Sequence, residues 1–276
     1  QDPLLVGGER RVLHDHAGQD AHTGATPMHL RKNALLGAAR EDLVFTSGGT
    51  ARDIKGFFNG ASPKSAVGEA ALASAYLAEQ NEADAGKVAG KAWRTGDIPL
   101  TLETGFTERF GKVLKESDHK WRLDRLLADD SRWENERRDR VAVVRRIVPF
   151  LSVPEQAKAN ARIAVYLRSP DANKLMAALP ADAATNPADW GFALQLVQWH
   201  RRAGRMAEAW AILKDAPTAE AEIVSPDDWW VERRLAAYDA MKAGKADLAY
   251  DLVKAPGELG VNARKDAAFF AGWLAL

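Results

Sequence analysis

Four of the six histidines, His14, His16, His22 and His29, crowd the N-terminal stretch, with Asp15 and Asp20 between them. Imidazole and carboxylate together are a donor set that transition metals take. Their spacing follows neither one helix face nor a zinc-finger pattern, so the stretch reads as polar, mobile chain and no metal is assigned. The turn Phe45-Thr46-Ser47-Gly48-Gly49-Thr50 could offer backbone N–H groups to a phosphate. No lysine-bearing phosphate motif accompanies it, so no cofactor is assigned either. Glu116 followed by Ser117 places a carboxylic acid beside a hydroxyl, but a general acid needs an enclosed cleft that raises its pKa. The surrounding Lys115-Glu116-Ser117-Asp118-His119-Lys120 is hydrophilic, and Ser117-Asp118 reads as a helix cap. His119 and His200, each among charged residues, read as surface or groove positions. Nine tryptophans could build a stacking surface, yet Trp190, Trp199, Trp210 and Trp273 fall on helix-packing faces. Adjacent Trp229 and Trp230 cannot point the same way, so one of them is expected to face solvent or a groove. With Arg233 and Arg234 they form the candidate ligand-binding patch. No nucleophile–base pair stands out, and no catalytic residue is assigned.

The elements that position these residues follow from composition. The chain has 276 residues and 30.1 kDa, with 46% hydrophobic residues, ample for a real core. Its 38 basic residues balance 38 acidic ones, which argues against a dedicated nucleic-acid binder. No apolar run is long enough to span a membrane. The absence of cysteine excludes disulfides, thiolate metal sites and a cysteine nucleophile. Residues 1–50 are glycine- and histidine-rich and weakly periodic, and are expected to be irregular. From about residue 62 onward alanine, leucine, arginine, glutamate and lysine dominate, and prolines punctuate at helix-length intervals.

An internal repeat organises the second half. Asn186-Pro187-Ala188-Asp189-Trp190 reappears 39 positions later as Ser225-Pro226-Asp227-Asp228-Trp229. Each reads as a helix start, with Asn186 or Ser225 capping and proline in the first helical position. Arg202-Ala203-Gly204-Arg205 then matches Lys242-Ala243-Gly244-Lys245 at an offset of 40, each glycine ending the first helix of a pair. Trp190, Ala193, Leu194 and Val197 form one helical stripe and Phe192, Leu196 and Trp199 a second, as expected for a helix with neighbours on both sides. Fainter copies cover 153–180, with Ser152 and Glu155 at capping-box spacing and Ser169-Pro170-Asp171 opening a second helix, and 69–94. Three helices are expected within 100–127 and 133–148, for roughly a dozen in all. A helix pair recurring at this period predicts an all-α, tetratricopeptide-like superhelical solenoid of antiparallel helix pairs over 51–276, as an open U or partial ring. The C-terminal run puts Phe269, Trp273 and Leu276 on one face and Phe270 and Leu274 on the next. So apolar an end leads us to expect a further element after it.

Several of these segments resemble a family. Trp229-Trp230-Val231-Glu232-Arg233-Arg234-Leu235, Ala249-Tyr250 and Phe269-Phe270-Ala271-Gly272-Trp273-Leu274-Ala275-Leu276 look like the end of the superhelical U-shaped domain of soluble lytic murein transglycosylases. Phe57-Phe58, Pro63-Lys64-Ser65, Gly68, Ala92-Trp93-Arg94 and Asp118-His119-Lys120-Trp121-Arg122-Leu123-Asp124-Arg125-Leu126-Leu127 are similar to earlier parts of it. The resemblance spans about residues 52–276 and departs at Ala268, where an acidic residue is expected. It implies a periplasmic parent enzyme that cleaves the bond between N-acetylmuramic acid and N-acetylglucosamine. In that family a following lysozyme-like domain carries the catalytic glutamate; this sequence is expected to stop before it, so no residue inherits that role. The implied function is a non-catalytic scaffold that helps hold peptidoglycan glycan strands, partnered by the catalytic domain. The alternative is a freestanding repeat module that binds a protein partner in a concave groove.

Overall fold

The computed structural model describes residue 41 and residues 49–95, 98–185, 188–219 and 221–275. The N-terminal histidines, the turn from Phe45 to Gly48, the pair Asn186-Pro187 and Leu276 lie outside them. Among the described residues the fold is all-α, with thirteen helices and no strand. They are α1 (Ala51–Phe58), α2 (Ala66–Ala78), α3 (Glu82–Thr95), α4 (Leu100–Phe110), α5 (Glu116–Leu126), α6 (Glu134–Ile147), α7 (Val153–Tyr166), α8 (Ala172–Ala177), α9 (Trp190–Arg202), α10 (Met206–Asp215), α11 (Pro226–Lys242), α12 (Ala246–Val253) and α13 (Val261–Leu274).

Four tight connections share one geometry. After α9, the N–H of Gly204 donates to the carbonyl of Arg201 and that of Arg205 to His200; after α11, Gly244 donates to Met241 and Lys245 to Ala240. This is the Schellman arrangement, whose C′ residue takes positive φ. Gly204 and Gly244 have φ of 71° and 70°. The same pair of bonds closes α2–α3 through Gln80 and Asn81, and α7–α8 through Arg168 and Ser169. There the C′ residue is Gln80 at φ 60° or Arg168 at φ 57°. A side chain in that region costs roughly 1–2 kcal/mol, part of which glycine offsets with its larger unfolded-state entropy. Gln80→Gly is therefore expected to raise stability by about 1 kcal/mol, and Gly204→Ala to lower it by about as much. Urea unfolding midpoints measure both.

Successive hairpins contact one another through their first helices: α7 packs on α9, α9 on α11 and α11 on α13, while α10 also touches α12. Two large apolar cores result, beside two small clusters around Phe58 and Val165. One gathers Trp93, Phe106, Phe110, Leu123, Val144 and Ile147 from α3 to α6; the other gathers Leu194, Leu213, Trp229, Trp230, Leu252 and Phe270 from α9 to α13. Charge joins them. Arg162 of α7 donates to Asp124 of α5, to Gln195 Oε1 (2.8 Å) and to the Gly191 carbonyl (3.1 Å) of α9. A Cβ at residue 191 would overlap the Asp124 carboxylate, which is why glycine occupies the first turn of α9.

Helix starts differ from the expected ones. α9 begins at Trp190, where the Asp189 carboxylate accepts the N–H of Phe192 (3.0 Å). α11 begins at Pro226, but Ser225 takes a left-handed conformation and its hydroxyl goes to Asp228 instead of the helix backbone. The two pentapeptides are thus alike in sequence but start their helices three residues apart. Ser152 precedes α7 as expected, yet its N–H is taken by Glu116 of α5 (2.7 Å), while Glu155 pairs with Lys158 (2.5 Å). At α5 the capping acid is Asp118, which accepts the N–H of Lys115 (2.9 Å); Ser117 makes no such bond.

Candidate functional site

The tryptophan–arginine patch is placed in the core. Trp229 is 1% and Trp230 2% exposed, which corrects the expectation that one faces solvent or a groove. α11 packs against α9, α10, α12 and α13, so adjacent residues on it are buried against different neighbours. Arg233 is buried too, donating to the carbonyls of Leu213 and Ala216 (both 2.9 Å), where it satisfies the open C-terminal end of α10. Arg234 Nη1 (2.7 Å) and Trp230 Nε1 (2.9 Å) meet on the Asp266 carboxylate of α13. These four residues hold helices together and present no shared surface.

A second buried joint links α3 to α5. Trp93 Nε1 donates to His119 Nδ1 (3.1 Å), Phe150 stacks on the imidazole at 4.6 Å, and the Arg122 guanidinium lies 4.2 Å from the Trp93 ring. Arg122 also donates to the Trp93 carbonyl (3.0 Å) and to Glu103 (2.6 Å). His119 is therefore core and not surface, because its ring supplies the acceptor that a buried indole N–H needs. Burial pushes its pKa below 6.5, with Asp118 opposing. A group whose folded pKa is depressed contributes stability that is intact above its unfolded value and is lost as pH falls through the folded one. The wild type should thus weaken as pH drops below about 6.5. His119→Asn keeps an acceptor but cannot titrate, so its stability should fall less over that window. His200, lowered by burial and by Arg205, adds a contribution common to both proteins. Urea midpoints at about pH 7.5 and 5.5 read the difference.

The open feature nearest this joint is a groove of about 800 Å³ between α3, the α4–α5 connection and α5. Its floor is built by small residues: Gly86 and Gly90 sit one turn apart on α3. A Cβ at Gly86 would lie 2.8 Å from the Val113 carbonyl oxygen, and one at Gly90 3.0 Å from the Asp118 carboxylate. Lys87, Lys91 and Arg94 rise from α3, Lys112 and Lys115 from the connection, and Arg125 from α5, against the carboxylates Glu82 and Asp118. Two of these cations are committed, Lys91 to Glu69 and Arg94 to Asp118, both at 2.5 Å. Lys87, Lys112, Lys115 and Arg125 are exposed and make no ion pair with a described residue. Half-buried Trp121 supplies an aromatic wall, with the Arg94 guanidinium 6.0 Å from its ring. Trp121 and Arg125 also line an adjoining groove of about 520 Å³ at the start of α11. There burial raises the Asp228 carboxyl despite the Ser225 hydrogen bond.

The two grooves adjoin at Trp121 and Arg125, which offer a ring face and a positive charge to both. Glu116 is exposed and its carboxyl is held below the usual range by Ser152, so it stays ionised, unlike a general acid. Among the described residues no group of three histidine, aspartate or glutamate side chains is placed to hold a metal ion, and no helix is long and apolar enough to cross a membrane. Sequence reading did not single out the first groove. Its signal was the Gly86–Gly90 and Lys87–Lys91 spacing on α3, but the opposite wall lies some thirty residues away. Comparison of the chain with protein-family models, curated proteins and solved structures finds no match.

Proposed function

We propose that residues 51–276 form a tetratricopeptide-like superhelical solenoid. On this reading they serve as the non-catalytic scaffold portion of a periplasmic lytic transglycosylase, holding peptidoglycan strands along the α3/α5 groove. The observation that carries the reading is the role of the resembling residues. Trp93, Arg94, Asp118, His119 and Arg122 bond to one another across α3 and α5, and Trp230, Arg234 and Phe270 meet across α11 and α13. Their order and spacing therefore answer to the joints of a helix stack, which a chance likeness of short segments would not require. The four shared hairpin closures support a repeating architecture of this kind.

Purified chain is expected to co-sediment with isolated peptidoglycan sacculi at low ionic strength. Retention of the chain in the supernatant would sink the scaffold reading. A second reading, a helical-repeat protein-interaction module, has its own observation: Phe269 is 75% and Trp273 48% exposed on the outer face of α13. Such a face is where a protein neighbour would sit. Phe269→Ser with Trp273→Ser would abolish a protein contact there and leave sedimentation with sacculi unchanged.

A further inference from the structure

We infer that the α3/α5 groove takes its strand by carboxylates and not by sugar rings; this rests on the reading of the groove as a strand-binding surface. The chain as a whole is electrically balanced, yet this groove gathers six cations against two carboxylates. One of those carboxylates, Asp118, is already bound by Arg94 and by the Lys115 N–H. Lys87, Lys112, Lys115 and Arg125, from three separate elements, line this groove with no ion pair to an acid among the described residues. Like charges held together repel, and an incoming anion relieves that repulsion. Lysine ammonium groups are compact point charges on flexible stems, suited to anions of variable position along a polymer. N-Acetylglucosamine carries no charge and leaves these four cations unused. The peptides attached to the lactyl group of muramic acid, or the lactyl carboxylate itself where no peptide is attached, supply carboxylates at intervals along the strand, and Trp121 offers a face on which the intervening apolar and ring surfaces lie.

Binding isotherms with three probes test this: soluble uncrosslinked peptidoglycan strands bearing their peptides, chito-oligosaccharides of matched length, and poly-glutamate. The expected result is binding of the first and third but not the second. Raising ionic strength from about 0.01 M to 0.15 M, which shortens the screening length from roughly 30 Å to 8 Å, should weaken it. Lys112→Glu with Lys115→Glu should bind about tenfold or more weakly, since each exposed cation–carboxylate contact contributes up to about fivefold and reversal also adds repulsion. Both side chains are exposed, and an unchanged circular dichroism spectrum and urea midpoint would show that the fold is retained. Equal binding of chito-oligosaccharide and peptidoglycan, insensitive to the double variant, would overturn the carboxylate inference and leave the scaffold reading standing. Binding of poly-glutamate with no binding of either glycan would support the carboxylate preference and overturn the scaffold reading. Failure of all three probes would overturn both.

Discussion

Asp189→Ala is expected to lower stability by about 3 kcal/mol. The carboxylate accepts from Lys120 of α5 (2.7 Å), from Lys158 of α7 (3.0 Å) and from the N–H of Phe192 at the start of α9. Three helices thus converge on one anion that is almost wholly buried. Its loss leaves Lys120 and half-enclosed Lys158 without their shared partner and removes the cap of α9, worth about 1 kcal/mol by itself. Burial alone would raise this carboxyl, but the Lys120 and Arg162 charges and the hydrogen bonds override it and hold the pKa well below the ordinary carboxylate range. The sign follows: the contribution is complete above the unfolded carboxylate value of about 3.9 and is lost as pH falls toward the folded one. Asp189→Asn retains an acceptor for Phe192 without the charge. It should lie between wild type and the alanine variant near pH 7, and approach wild type as the pH falls below about 4. Glu134→Ala, which breaks the exposed pair with Arg138 (2.5 Å), should change stability by less than about 0.5 kcal/mol. Urea unfolding of the four proteins across pH checks all of this, and a loss near 0.5 kcal/mol for Asp189→Ala would contradict the junction role.

That junction was only half legible in the sequence. Asp189 was visible as part of a helix-start pentapeptide, but its main partners lie 31 and 69 residues away. Helix existence was easier. The paired helices of 69–94, the three within 100–148 and the glycine-closed pairs around Gly204 and Gly244 follow from local propensity and periodicity, which act within a turn or two. The closures at Gln80 and Arg168 escaped because the usual marker of a left-handed residue is glycine, and neither has it. His119 was misread for a related reason. Its sequence neighbours are charged, but burial is decided by Trp93 and Phe150, which approach from other elements. The groove was hidden because local spacing marks only its α3 wall, and charge balance over the whole chain conceals a local excess.

Trp229→Ala is expected to cost about 3–5 kcal/mol, as for other large core truncations, and this distinguishes a core residue from a ligand-binding one. The ring is packed among residues of α9 to α11 and lies edge-on to Trp190, with centroids 6.3 Å apart. Its indole N–H, however, is buried with no hydrogen-bond partner among the described residues. An unsatisfied buried donor costs roughly 1–3 kcal/mol, so Trp229→Phe removes that penalty while giving up part of the ring's packing. The two changes oppose, and the phenylalanine variant should stay within about 1 kcal/mol of wild type. Trp230 gives the contrasting case: its N–H is bound to Asp266, so Trp230→Phe loses packing and also strands a carboxylate contact between α11 and α13. It should therefore destabilise more than Trp229→Phe, although the two residues are adjacent and equally buried. Thermal or urea unfolding would rank them. If instead Trp229→Phe lowered affinity for a glycan probe while stability was unchanged, the core assignment would fail and the tryptophan–arginine patch would return as the binding surface.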